Sequence, residues 1–129
     1  MEHILLIEDD LILQEMYEAK FTMEGFETLR ALNGSEALDL LKDSKPDIIL
    51  LDILMPEMNG FEFLKNLKKE PRYQTVPVIL LTNLGGHGID GDREMAYALG
   101  VRDYLIKSKH TPDEVVKKVK EVLTETKAK

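Results

Sequence analysis

Five short apolar runs alternate along the chain with five longer amphipathic segments, and this alternation restricts the fold more than any other feature of the sequence. Strand-length runs separated by segments with apolar residues three and four apart are the pattern of repeated βα units. The strand candidates are His3–Ile7, Glu27–Ala31, Ile48–Leu51, Val78–Leu81 and Asp103–Ile106. The third and fourth read as runs buried on both faces, which is what a central parallel strand needs. Helices are predicted over Leu11–Met23, Ser35–Leu41, Phe61–Lys68, Arg93–Leu99 and Pro112–Thr126. Asn33-Gly34-Ser35-Glu36 supplies capping side chains, and Thr111-Pro112-Asp113-Glu114 offers Thr at the N-cap, Pro at the first helical position and Glu at the third. Gly25 and Gly100 are placed to end helices.

Right-handed crossovers turn five βα units into an α/β three-layer sandwich of flavodoxin-like (βα)5 type, with a five-stranded parallel sheet of order 2-1-3-4-5. Its binding crevice lies at the carboxyl ends of the strands. A length of 129 residues, 43% of them hydrophobic, suits one domain, expected over residues 1–126 with a flexible tail at 127–129. The net charge of −7 disfavours direct nucleic-acid binding and anionic membranes, both of which would repel the average surface. No apolar run has the roughly eighteen residues of a membrane span, and Met1-Glu2-His3 leads into the first strand without a basic leader. The absence of cysteine removes disulfides and thiolate chemistry and fits a reducing interior, so the expected location is cytoplasmic.

Function is therefore sought at the strand ends. Glu8, Asp9 and Asp10 follow the first strand and Asp52 follows the third. Carboxylates crowded together raise one another's pKa unless a cation lies between them. Few, hard oxygen ligands suit Mg²⁺, or Mn²⁺, better than a calcium cage or a zinc site. Thr82 ends the fourth strand with a hydroxyl and Lys107 follows the fifth with an ammonium. An acid nucleophile, a hydroxyl donor and a cation form a set suited to phosphoryl transfer, with Asp52 as the attacking group.

The stretches Ile7-Glu8-Asp9-Asp10, Asp52-Ile53-Leu54-Met55-Pro56-Glu57-Met58-Asn59-Gly60, Thr82 and Tyr104-Leu105-Ile106-Lys107 resemble the receiver domain of bacterial two-component response regulators over essentially the whole chain. That resemblance implies a phosphoacceptor signalling domain rather than an enzyme, one that promotes only its own phosphorylation and dephosphorylation. Asp52 would accept phosphate from a histidine kinase or phosphotransfer protein. Glu8, Asp9, Asp52 and the backbone carbonyl of Leu54 would hold the metal, and Thr82 and Lys107 would bind the phosphoryl group. A switch is also implied, in which Thr82 moves toward the phosphate and Tyr104 turns inward. The face formed by the fourth helix, fifth strand and fifth helix would then change its affinity for a downstream protein. A phosphorylation-dependent homodimer through that face is compatible with the sequence.

Three positions depart from the family's usual pattern. Ser108 follows Lys107 where proline is usual, and without proline a cis peptide costs roughly 3 kcal/mol, so Lys107–Ser108 is expected to be trans. Asn83 follows Thr82 where a small Ala or Gly is usual, and its amide would either block or hydrogen-bond a phosphoryl group. The connection Leu84–Asp92 is glycine-rich and is read as a switch loop. Leu54 and Leu84, two residues beyond Asp52 and Thr82, cannot orient an attacking water, so slow self-dephosphorylation is expected. Met55, Met58 and Met95 are read as packing, and His3, His87 and His110 receive no role. Other classes fit less well. A flavin-binding protein would need a phosphate loop where Glu8-Asp9-Asp10 stands, and a phosphohydrolase would carry its two aspartates on the first strand. A receiver-like scaffold that binds partners without phosphorylation is the alternative retained.

Overall fold

A computed structural model of the chain describes residues 2–52, 60–82, 94 and 96–127. Its strands are β1 (His3–Ile7), β2 (Glu27–Ala31), β3 (Ile48–Leu51), β4 (Val78–Thr82) and β5 (Asp103–Ile106). The helices are α1 (Leu11–Met23), α2 (Gly34–Asp43), α3 (Gly60–Lys68), α4, described at residues 94 and 96–98, and α5 (Pro112–Lys127), with a 3₁₀ turn at Pro71–Tyr73. All strand pairs are parallel and their order is β2-β1-β3-β4-β5, the order expected from the sequence.

Side-chain alternation along the strands splits the core in two. Leu5, Ile7, Ile49, Leu51, Val78, Leu80, Tyr104 and Ile106 pack with α2, α3 and α4 on one face. Ile4, Leu6, Ile48, Leu50, Ile79, Leu81 and Leu105 pack with α1 and α5 on the other. β3 is buried at all four positions, and each such Ile or Leu contributes roughly 1.5–3 kcal/mol on leaving water. β2, at the sheet's edge, has only Ala31 fully buried. Two ion pairs, Lys20–Asp113 and Lys120–Glu24, tie α1 to α5.

The element ends follow local chemistry. Gly25 (φ +89°) and Gly100 (φ +94°) adopt the left-handed conformation that ends α1 and α4. After each, a backbone N–H reaches back to close the last turn, Phe26 to the Phe21 carbonyl and Val101 to the Ala96 carbonyl. Thr111 and Glu114 exchange the two hydrogen bonds of a capping box at α5. The Asn33 side chain accepts from the Glu36 N–H, so α2 begins at Gly34, one residue before the sequence expectation. α5 reaches Lys127, the first residue of the expected tail.

Candidate functional site

Strand register brings the chemistry together. Ile7 is paired with Leu51 across β1 and β3, so Glu8 and Asp52, the next residue on each strand, leave the sheet side by side. The Asp52 N–H still donates to the Ile7 carbonyl at 3.1 Å. β1 and β3 are sheet neighbours not joined directly in sequence, and this reversal of strand order is where open α/β sheets bind ligands. Glu8, Asp52 and Lys107 continue the alternation of Leu6, Leu50 and Leu105, on the side of α1 and α5.

The three side chains meet. Glu8 and Asp52 are buried, and the Lys107 ammonium donates to Glu8 Oε1 and, at 3.2 Å, to Asp52 Oδ2. Exposed Asp9 completes the acidic group: Glu8, Asp9 and Asp52 each offer an oxygen within 4.8 Å of the others. Burial pushes the Glu8 carboxyl up to about 7; the Lys107 hydrogen bond opposes that rise and the Asp52 charge adds to it. Burial pulls Lys107 down, yet its bond to Glu8 and the charges of Asp52 and Glu8 outweigh this and hold the ammonium above the ordinary lysine value. One ammonium therefore only partly neutralises the carboxylates. A hard dication fits this donor set, because it would share oxygens that otherwise repel and leave room for water and a phosphate oxygen.

The loop after β1 is fixed from behind. The Asp10 carboxylate accepts from the N–H groups of Ile12 (3.0 Å) and Leu13 (3.2 Å), capping α1. Asp10 therefore acts on the helix, whereas its neighbours Glu8 and Asp9 face the site. Its own N–H donates to Glu8 Oε2 at 3.3 Å. Buried Gln14 donates from Nε2 to the carbonyls of Glu8 (3.2 Å) and Ala31 (2.8 Å), joining the ends of β1 and β2. Sequence reasoning missed Gln14, although an amide on the apolar stripe of α1, three residues before buried Tyr17, was a signal. At the other edge His110 Nδ1 lies 3.2 Å from the Ile106 nitrogen and 3.0 Å from its carbonyl oxygen, bracing the turn after Lys107 through one or the other according to tautomer. The Lys107–Ser108 peptide is trans.

Tyr104 is buried in the core on the side of α2, α3 and α4. Thr82 ends β4 and pairs in register with Ile106. The Thr82 side chain and residues Leu54, Asn83, Leu84 and His87 lie outside the described residues. No helix among the described residues is long and apolar enough to cross a membrane.

Comparison with known proteins places this geometry among others. Residues 4–120 match the family model of the response regulator receiver domain. The transcriptional regulatory protein CpxR of Escherichia coli is 44% identical over 107 residues, covering 83% of this chain and 43% of CpxR. The chain spans less than half the length of the curated relatives it matches first. Among solved structures, the receiver domain of a signal transduction histidine kinase from Syntrophus aciditrophicus is 32% identical with a TM-score of 0.85, over 97% of this chain and 92% of that one. The response regulator TrrA of Thermotoga maritima, solved in complex with Mg²⁺ and BeF, is 30% identical with a TM-score of 0.79, over 94% of this chain and 98% of that one.

Proposed function

Because the chain belongs to the response regulator receiver family, we propose that its phosphoacceptor is Asp52 and that Glu8, Asp9, Asp52 and the Leu54 carbonyl hold Mg²⁺, or Mn²⁺ in its place. The observation that carries this reading is the buried Glu8–Lys107–Asp52 contact with Asp9 beside it. An Asp52 oxygen attacks the phosphorus of a phosphohistidine, the P–N bond breaks, and the released imidazole takes a proton. The metal, when bound, withdraws charge from the phosphoryl oxygens. Lys107, already 3.2 Å from Asp52, pairs with a phosphoryl oxygen in the product, and the Thr82 hydroxyl and Asn83 amide contact the others. With Thr82 drawn toward the phosphate, Tyr104 repacks and alters the α4-β5-α5 face, so a downstream protein or a second copy binds according to phosphorylation state. Leu54 and Leu84 leave water without a polar guide, which prolongs the acyl phosphate.

A histidine kinase or phosphotransfer protein would be the donor. Intact mass after incubation with acetyl phosphate or phosphoramidate tests the core of this reading. A Mg²⁺-dependent gain of one phosphoryl group, lost in Asp52→Asn, is expected. No gain by a folded protein that binds Mg²⁺, even with a phosphorylated histidine donor, would favour a phosphorylation-independent scaffold.

A further inference from the structure

Among the described residues, Lys20, Lys68, Lys107 and Lys118 are the half-buried lysines. Lys20 is paired with Asp113, Lys107 with Glu8 and Asp52, and Lys118 with Asp103 and Glu121. Lys68, at the end of α3, has no carboxylate within 4.0 Å among the described residues. Its ammonium reaches the Gln74 carbonyl at 3.4 Å. Its stem lies along the Gly100 turn, where a Cβ would stand 3.4 Å from Lys68 Cε. Burial without a counter-charge pulls this amine below the ordinary lysine value. A larger share of it is then the uncharged nucleophile near neutral pH than in a lysine at the ordinary value.

Lys68 borders a cavity of about 440 Å³ at the end of the sheet opposite Asp52, lined also by Gln74, Thr75, Arg102 and Thr126. Arg102, anchored to Glu125 at 2.9 Å, brings a guanidinium to the wall. Cation, small volume and unpaired amine together suit a compact anionic acyl donor.

We propose that Lys68 is an acylation site whose donor is a small acyl phosphate. The Nζ lone pair attacks the carbonyl carbon, the C–O bond to phosphate breaks, inorganic phosphate leaves, and the amine loses its proton to water. The product is an uncharged amide, and the C-terminal turn of α3 loses a cation. The reaction is separate from that at Asp52, which takes the phosphoryl group and not the acyl group from such a donor.

The test uses the whole chain with acetyl phosphate in EDTA, with site-by-site acetylation followed by peptide mass mapping at early times. Lys68 is expected to react at least about threefold faster than exposed Lys42, Lys65 and Lys117, with a rate–pH midpoint below the ordinary lysine value. Arg102→Gln should slow Lys68 toward acetyl phosphate and leave its rate with uncharged phenyl acetate unchanged. A Lys68 rate equal to or below that of the exposed lysines overturns the site. An equal effect of Arg102→Gln on both reagents overturns the assignment to acyl phosphates.

Discussion

The ammonium of Lys107 and the carboxylate of Glu8, 99 residues apart in sequence, form a hydrogen-bonded ion pair almost closed to solvent. Asp52 shares that ammonium. Removing one partner of a buried pair strands the other charge, at a cost of roughly 3 kcal/mol. Lys107→Met is therefore expected to lower stability by about that amount in EDTA and to lose most of the deficit when Mg²⁺ supplies the missing positive charge. Urea unfolding with and without Mg²⁺ checks this; an equal loss in both conditions would show that Lys107 acts by packing alone.

A second expectation concerns pH. The folded-state pKa of Glu8, about 7 against an ordinary glutamate value of 4.5, is raised, so its contribution favours folding below the unfolded value and is lost as pH rises through 7. Bound Mg²⁺ would replace the proton. The Mg²⁺-induced rise in Tm should thus be larger at pH 8 than at pH 5.5, and Mg²⁺ affinity should fall by about tenfold per pH unit below 7 where only Glu8 titrates. Calorimetric Mg²⁺ titrations across this range measure it, and an affinity flat from pH 5.5 to 8 would remove Glu8 from the metal site.

The fold was legible because its signals are local. Ile48–Leu51 contains no polar residue and reads as a strand covered on both faces, and Gly25 and Gly100 stand where left-handed backbone ends a helix. The site was legible as a set of strand-end residues, since strand order alone brings Glu8, Asp52 and Lys107 to one edge. The division of labour within Glu8-Asp9-Asp10 was not legible in the residues themselves; the family resemblance named Glu8 and Asp9 for the metal and left Asp10 without a role. Three consecutive acids have the same composition whichever one caps α1, and only the path of the backbone turns Asp10 toward the Ile12 and Leu13 amides. Gln14 left only one trace, an amide on the apolar stripe of α1, because its partners are backbone carbonyls at the ends of two strands.

Gln14 should matter to both stability and metal binding. Gln14→Leu keeps the volume but removes both amide bonds, leaving the buried Glu8 carbonyl without its Gln14 donor, at a cost of about 1–3 kcal/mol. Loosening the end of β1 should also weaken Mg²⁺ binding severalfold, because Glu8 and Asp9 are carried by that backbone. Equilibrium unfolding and Mg²⁺ titration on the same variant separate the two effects. A stability loss with unchanged Mg²⁺ affinity would confine Gln14 to joining β1 and β2.

Adjacent acids provide the sharpest contrast. Asp10 spends its carboxylate on the first turn of α1, so Asp10→Ala should cost about 1 kcal/mol of stability while changing Mg²⁺ affinity less than about threefold. Asp9 is exposed, lies within 4.8 Å of its fellow ligand candidates, and makes no capping bond among those described at α1. Asp9→Ala should leave the metal-free stability unchanged or slightly raised, since one repelling charge is gone, and should weaken Mg²⁺ by at least about tenfold. The reverse pattern, with metal lost in Asp10→Ala and stability lost in Asp9→Ala, would mean that the two carboxylates exchange places when the metal binds.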